Sequence, residues 1–266
     1  MGRMIKLILW EMNNPLVVLV LLAGLVLGFA AVHQSYLSVA SSEGEHYFTG
    51  RNALQNAVPM GTTPYVAGKI DYPYTPTARA IRGSIKAGFE IYAFIIIIMG
   101  SLIFRWDRDS GYAPTVYSLP YSKFKIFIAK STAFLTLSLI LYVLPYVLAI
   151  ISSNADILHV VSVILSSREV LSGLTLALYA VLYTASVTAL LGSFLRGLFP
   201  TLIGAFFVLS LSSSLFPSSL PPFSFLMYAA YSNVSPLEVR FAVPGLILPF
   251  LFLLIGALIF ERRDVL

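Results

Sequence analysis

The sequence contains no cysteine, and only 11% of its 266 residues are charged. Without cysteine, disulfide bonds and thiolate metal sites are both excluded. A soluble globular chain carries about 25% charged residues, so this low charge, with a mean hydropathy of +0.86, indicates a membrane protein. The formal net charge is +5 and no dense run of lysine and arginine occurs, which argues against nucleic-acid binding.

Motifs of catalysis and nucleotide binding are absent as well. There is no HExxH, no GxSxG and no phosphate-binding loop, because Gly68-Lys69 lacks the upstream glycine. The three histidines, His33, His46 and His159, are isolated from one another. We therefore predict that the chain is not an enzyme and holds no metal or cofactor of its own. If the protein uses ATP, another chain must bind it.

Six long apolar runs alternate with polar segments. A run of about 18 or more apolar residues can cross the roughly 30 Å hydrocarbon core as a helix. The runs are Pro15–Val32, Ala87–Phe104, Ile126–Ile151, Val170–Leu195, Pro200–Phe216 and Phe241–Phe260. We predict an all-α, polytopic membrane protein in which residues 1–266 form a single transmembrane domain with six transmembrane helices. The first run is longer than the core of a signal peptide, so we expect a retained helix.

The distribution of basic residues predicts the orientation. Six spans place both termini on one side of the membrane. If that side is the cytoplasm, the inner segments carry ten lysines and arginines in 50 positions, and the outer segments carry seven in 94. Cytoplasmic loops are enriched in basic residues. We therefore predict a multi-pass protein of the cell membrane with both termini cytoplasmic.

Four segments outside the predicted spans are also expected to be structured. Residues 1–14 predict an interfacial amphipathic helix that ends at Asn14-Pro15, because the residue before proline avoids helical geometry; the alternative is a simple extension of the first span. The outer loop 34–86 is marginal for an independent core, so we expect a cap packed on the helix ends. Segment 153–169 predicts a short helix. The proline-broken segment before the last span can enter the membrane only if protein buries its backbone.

Ionisable side chains are almost absent from the predicted spans. Glu90 and Lys130 lie near span ends, and no acid or histidine lies near the middle of a span. A proton-coupled carrier or an ion pump usually needs such a residue at that depth, so this class of protein is disfavoured. Glu90 is either an interfacial carboxylate or a gate or substrate contact.

Small residues mark predicted helix contacts. Gly24-x-x-x-Gly28 allows two helix backbones to approach closely, either within the chain or between subunits. The fifth span carries a serine cluster that includes Ser210 and Ser213. Its hydroxyl groups either join helices or, together with Glu90, line a substrate path.

A polar island lies between the second and third spans and runs from Arg105 to Lys130. It holds seven charged residues in 26 positions. Within it, the sequence Arg-Asp-Ser-Gly ends at Gly111, and Pro120 follows nine residues later in the sequence Ser-Leu-Pro-Tyr-Ser-Lys. Lys130 comes ten residues after that proline. Glycine permits a tight turn, and proline would stop a short helix before the next span begins.

This pattern resembles the loop between spans 2 and 3 of ABC-2 type transporter permeases. In that family an acidic-Gly motif leads through a short helix to a Leu-Pro-x-Ser-basic turn and then to a Gly-Lys or similar pair. Here Asp109 stands for the more frequent glutamate, Lys123 for arginine and Ala129 for glycine. The amphipathic start, the long first outer loop and the charged end of the last span also resemble the family.

The resemblance implies a permease subunit of an ATP-driven ABC transporter, more often an exporter. A separate cytosolic ATPase subunit would bind ATP and magnesium, and a second permease subunit, identical or paralogous, would pair with this one in the lipid bilayer. Residues 105–125 would form the cytoplasmic coupling loop. The ATPase contacts implied by the resemblance are Asp107, Arg108, Asp109, Gly111, Tyr112, Tyr117 and Pro120.

One alternative comes from a different class of protein. The chain would then be a non-transporting membrane scaffold or maturation factor that binds a partner through the outer loop 34–86, and the island charges would only solvate an inner loop. Under either hypothesis the apolar helix faces carry no readable code for a substrate. A lipid, a drug-like amphiphile, a peptide and an ion are all compatible with the sequence.

Overall fold

A computed structural model describes residues 2–47, 65–66, 69–70, 75–111, 121–215, 220–231 and 234–262. This part of the chain is almost entirely helical. Five helical stretches in it are long and apolar enough to cross a membrane, which confirms a polytopic helical membrane protein. They are Pro15–Ala40, Thr77–Asp109, Lys123–Ser153, Arg168–Phe194 and Val239–Arg262.

We number the helices of the described residues in chain order. They are α1 (Gly2–Met12), α2 (Pro15–Tyr47), α3 (Thr75–Gly83), α4 (Phe89–Asp109), α5 (Lys123–Ser153), α6 (Leu158–Leu165), α7 (Arg168–Phe194), α8 (Leu198–Leu215), α9 (Phe223–Tyr231) and α10 (Val239–Arg262). Short 3-10 turns, Ser84–Lys86 and Ala155–Ile157, follow α3 and α5. Helix α10 contains a π-helical turn at Val243–Ile247. A small antiparallel pair joins β1 (Tyr65–Val66) to β2 (Lys69–Ile70).

Five of the six predicted apolar runs fall on the long apolar helices, three of them to within three residues at each end; the first of these helices extends eight residues beyond its run, and the second begins ten residues before its run. The sixth, Pro200–Phe216, falls on α8, which has 18 residues. At a rise of 1.5 Å per residue, α8 extends for about 27 Å, slightly less than the roughly 30 Å of a hydrocarbon core. The short helix expected within residues 153–169 is present as α6.

The start of the chain is broken where the sequence predicts. Helix α1 ends at Met12, α2 begins at Pro15, and Asn14 Oδ1 accepts a hydrogen bond from the Leu16 N–H at 3.1 Å. Helix α1 packs against α5. Gly2–Met12 is therefore a separate helix docked on the bundle, and it does not extend the first span.

The long helices run in alternating directions, so the bundle has two ends. At one end, Asp107 of α4 contacts Lys130 of α5; we call this the ionic end. At the other end, Tyr36 of α2 donates a hydrogen bond to Asn154 Oδ1, just after α5, at 2.7 Å. We call this the tyrosine end, because Tyr142 and Tyr146 of α5 also make hydrogen bonds in this half of the bundle.

Helix α7 is the centre of the bundle and contacts α4, α5, α8, α9 and α10. Small residues on its buried face allow close approach of neighbouring helices. A Cβ on Gly173 would lie 3.0 Å from the Ala229 carbonyl oxygen of α9, and one on Gly192 would lie 2.9 Å from Phe104 Cβ. The buried Thr184 hydroxyl donates to the Ala180 carbonyl of its own helix at 2.9 Å, so it needs no partner elsewhere.

The region predicted as the outer loop 34–86 is helical at both of its ends. Helix α2 continues past residue 34 to Tyr47, and α3 with its 3-10 turn occupies Thr75–Lys86. The side chains of Ile81 and Ile85 are fully buried. This last part of the region therefore packs inside the bundle, deeper than a cap on the helix ends would lie.

Candidate functional site

Lys130 of α5 is the most deeply buried charged residue at the ionic end. Its side chain is 1% exposed. The Nζ atom lies 2.6 Å from Asp107 Oδ2, 2.8 Å from Glu11 Oε1 and 2.7 Å from the Ile103 carbonyl oxygen. The ammonium group donates hydrogen bonds to Asp107 Oδ2 and to the Ile103 carbonyl, and Glu11 is its second ion-pair partner. We call Lys130, Glu11, Asp107 and the Ile103 carbonyl the Lys130 node.

Helix α1 contributes Glu11 because of the way this helix lies on the bundle. Leu7 and Glu11, four residues apart, are buried on the same face. Ile5, Leu9 and Trp10 are about half exposed. The sequence predicts one apolar face that includes Leu7, Ile5 and Leu9, whereas the structure divides these residues between a bundle-facing side and an exposed side.

Two buried carboxylates share one ammonium in the Lys130 node. Burial raises the pKa of the Glu11 carboxyl above its ordinary value; the Lys130 ammonium opposes this shift, and the nearby Asp107 carboxylate adds to it. Removing a charge from water costs several kcal/mol, and attraction to the opposite charge returns that cost only when all donors and acceptors are matched. The node is therefore sensitive to the loss of any member.

Asp109, at the end of α4, connects this helix to the start of α8. Its Oδ1 atom lies 3.5 Å from Arg105 Nη2, one turn earlier in the same helix. Its Oδ2 atom accepts a hydrogen bond from the Leu198 N–H at 2.5 Å. A carboxylate at a helix N-terminus pairs with a free backbone N–H and with the positive end of the helix dipole. Gly197, with φ 112°, provides the left-handed turn that leads into α8.

Arg108 connects α4 to the end of α10. Its guanidinium carbon lies 4.8 Å above the centre of the Phe260 ring, within the range of a cation–π contact. The Phe260 ring in turn packs 5.5 Å from the Phe127 ring of α5. The last turn of α4 thus directs three consecutive charged side chains to α5, α10 and α8.

The structure directs three of the predicted ATPase contacts towards the protein itself. Asp107 belongs to the Lys130 node, Asp109 caps α8, and Arg108 covers Phe260. Gly111 is exposed, has φ 79°, and has open space where a Cβ would be. The remaining predicted contacts lie outside the described residues; they are Tyr112, Tyr117 and Pro120.

The predicted packing glycines face other helices of the same chain. A Cβ on Gly24 would lie 2.6 Å from Leu141 Cδ1 of α5, and Gly28 is in contact with the Tyr92 ring of α4. Substituting either glycine by a larger residue would therefore push helices of this chain apart. The close approach that the motif predicts is present within one subunit.

The residues predicted for a substrate path lie on two neighbouring helices, α4 and α8, which also meet through the Phe94 and Phe206 rings. Ser213 donates a hydrogen bond to the Ser210 carbonyl of its own helix at 3.0 Å. Their neighbour Ser212 donates to the Pro221 carbonyl at 2.6 Å, which holds the chain after α8 against that helix. Glu90 is exposed in the first turn of α4. A substrate path along these residues stays a prediction.

The sequence reasoning missed Glu11 and the role of Lys130. A signal for Glu11 exists, because an acidic residue lies four positions after Leu7 on an otherwise apolar stripe. The matching signal for Lys130 is a lone cation seven residues into an apolar helix. An unpaired charge at either position would be costly, so each one predicts a partner of opposite charge, although neither identifies that partner.

Across the described ranges, no three histidine, aspartate or glutamate side chains come together as metal ligands would. No family model matches this chain, and no curated protein or solved structure is significantly similar to it.

Proposed function

We propose that the chain is the permease subunit of an ATP-driven ABC transporter that works as an exporter. A separate cytosolic ATPase subunit, which binds ATP and magnesium, would dock on the island between Arg105 and Lys130. The island pattern from Gly111 through Pro120 to Lys130 supports this proposal. So does the lack of a phosphate-binding loop, which requires that the energy come from another chain.

One structural observation carries the proposal. The last turn of α4 leads directly into the segment after Gly111, and its charged residues contact three other helices, α5, α8 and α10. A displacement of this segment by a partner would therefore act on these three helices at once, and on α1 through the contact of Lys130 with Glu11. Charges that only solvated an inner loop would need no such set of contacts with other helices.

The proposal gives the island residues two roles. Asp107 and Asp109 transmit displacement from the loop to the bundle, as their contacts with α5 and α8 support, and Gly111, Tyr112 and Tyr117 are the ATPase contacts that the resemblance implies. In this proposal the ionic end faces the cytoplasm, α8 is a sixth membrane crossing, and both termini are cytoplasmic. Two permease subunits pair in the membrane and offer one docking surface each.

The test is co-purification of the tagged chain with the P-loop ATPase subunit encoded by a neighbouring reading frame. We expect the two proteins to purify together and the double variant Tyr112→Ala/Tyr117→Ala to lower ATPase recovery at least about tenfold, a loss of about 1.4 kcal/mol in binding. The matched control is Arg196→Ala, an exposed residue of the turn between α7 and α8.

Two outcomes would count against the proposal. Equal ATPase recovery with the double variant and with wild type would remove the docking role of the island. Recovery of the chain from native membranes with no ATPase, and with a partner bound through residues 34–86, would favour the scaffold alternative.

A further inference from the structure

A broken helix precedes α4 at the tyrosine end. Helix α3 and the 3-10 turn form a helical segment, Thr75–Lys86, that we call the half-helix. Gly88, with φ 69°, separates it from α4, and a Cβ at this position would lie 2.8 Å from Ala31 Cβ of α2. Only glycine combines that backbone conformation with such close contact.

The half-helix is inserted into the bundle. Its side chains at Ala80, Ile81 and Ile85 are fully buried, and it contacts α2, α7 and α9. A helix that ends inside a bundle leaves carbonyl groups without partners, and no water is available there to replace them. Such a break persists only where other groups supply donors.

Two tyrosines of α5 supply such donors, and the half-helix adds one of its own, since Ser84 Oγ donates to the Ile81 carbonyl at 2.8 Å. Tyr146 Oη donates to the Ile81 carbonyl at 2.8 Å, and Tyr142 Oη donates to the Ile85 carbonyl at 2.7 Å. The two tyrosines precede the end of α5 at Ser153 by seven and eleven residues, or about 10 and 16 Å along the helix. The bonded carbonyls therefore lie well below the end of the bundle.

Besides the two neutral tyrosine bonds, the half-helix is attached through a charged side chain. Arg82 Nε adds a hydrogen bond to the Ala229 carbonyl of α9 at 3.2 Å. The tyrosine hydroxyls bond backbone carbonyls, so no buried charge has to be separated when these bonds break. A continuous helix through the same space would satisfy its own carbonyls and would need no tyrosine donors. The break thus creates a separate helical segment that can leave the bundle when its hydrogen bonds to the tyrosines break.

We propose that the half-helix Thr75–Lys86 is a gate that closes the tyrosine end of the bundle, turns about Gly88, and is held shut by the hydroxyl groups of Tyr142 and Tyr146. These two tyrosines are positioning residues. The proposal concerns a different end of the bundle from the Lys130 node. It stands whether or not an ATPase drives the protein, because the gate is tested on the chain alone.

The absence of cysteine makes the test direct, since every introduced thiol is the only one in the chain. Thr77→Cys places a thiol on the buried face of the half-helix, and Lys86→Cys places one at an exposed position of the same segment. Ser138→Cys is the buried control on α5, where the serine hydroxyl bonds only its own helix. The probe is a polar maleimide applied to both sides of membrane vesicles that contain the full chain.

We expect Thr77→Cys to react slowly in the otherwise wild-type chain. Tyr142→Phe and Tyr146→Phe should each raise that rate about fivefold, equivalent to about 1 kcal/mol, and together about 25-fold. Tyr92→Phe is the matched control, because Tyr92 is a neighbouring buried tyrosine whose hydroxyl has no hydrogen-bond partner in the described part of the chain. It should leave the rate unchanged.

The labelling of the control positions decides between a gate and a general loosening. If Tyr142→Phe and Tyr146→Phe leave the Thr77→Cys rate unchanged while Lys86→Cys still reacts, the half-helix is a fixed part of the fold and the proposal is wrong. If the rate at Ser138→Cys rises equally, the whole bundle has loosened, which also overturns the gate. Each single Phe variant gives the same decision should the double variant fail to fold.

Discussion

The two ends of the bundle hold neighbouring helices together with different kinds of contact. At the ionic end, Lys130 holds α1, α4 and α5 together through two carboxylates and one carbonyl. At the tyrosine end, Tyr142 and Tyr146 hold the half-helix through neutral hydrogen bonds to backbone carbonyls. Separating the first contact exposes uncompensated buried charge, whereas separating the second only frees dipoles. The ionic end is therefore built as a permanent joint, and the tyrosine end as one that can open.

The largest expected effect comes from removing the shared cation. Lys130→Met leaves the Glu11 and Asp107 carboxylates buried without a counter-charge, and we expect a loss of about 3–5 kcal/mol in unfolding free energy. Urea or SDS unfolding of the purified protein measures it. The control is Lys125→Met, an exposed lysine near the start of the same helix, which should change stability by less than about 0.5 kcal/mol. Equal stability of the two variants would show that the node is not a joint.

A second measurement compares the effect of burial on the Glu11 carboxyl with that of its attraction to Lys130. Because burial raises the pKa of Glu11 in the folded protein, its contribution to stability is fully present below the unfolded value of about 4.3 and is lost as the pH rises through the folded value. The unfolding free energy of wild type relative to Glu11→Gln should thus fall by up to about 1.4 kcal/mol per pH unit. Unfolding curves from about pH 4 to pH 8 measure the difference. A rise with pH would mean that attraction to Lys130 outweighs burial.

A smaller effect is expected where α4 meets α8. Asp109→Ala removes the acceptor for the Leu198 N–H, and loss of a helix N-cap costs about 1–2 kcal/mol. Asp109→Asn keeps an acceptor oxygen and loses only the charge, so it should cost less than half as much. Thermal unfolding in detergent compares the three proteins. If alanine and asparagine are equally destabilising, the charge and not the hydrogen bond carries the contact.

The smallest effect is expected at the tyrosine end. Tyr146→Phe should cost about 1 kcal/mol, the net value of one hydrogen bond. Tyr92→Phe removes a buried hydroxyl without a described partner and should be neutral or slightly stabilising. Parallel unfolding curves test this pair. A cost at Tyr146 as large as that at Lys130 would erase the difference between the two ends.

The hydropathy pattern is sufficient to predict five of the six helical spans, because a long apolar run has few other stable forms in a bilayer. The break at Asn14-Pro15 was also predictable, since proline acts on its immediate neighbour. The Lys130 node could not be predicted, because the partners Glu11 and Lys130 lie 119 positions apart in the sequence. Charges can be read from a sequence, but which acid meets which base depends on how three helices pack.

The island shows a subtler limit of sequence reasoning. Its charged residues were identified, but the second span was expected to end at Phe104. The helix continues to Asp109, and this continuation fixes the directions of Asp107, Arg108 and Asp109 towards three different neighbours. The half-helix was missed for a related reason. The sequence around Ile81 and Ile85 does not indicate a helix break, because the tyrosines that donate hydrogen bonds to these carbonyls lie some 60 residues later.

The length of α2 has a consequence for how the protein meets its surroundings. Its 33 residues measure about 50 Å, against about 30 Å for the hydrocarbon core. The contacts of Gly24 and Gly28 with neighbouring helices lie in the first half of α2. The apolar stretch Pro15–Ala40 ends before the helix does, so the last turns of α2 extend beyond the part of the helix that suits a hydrocarbon core.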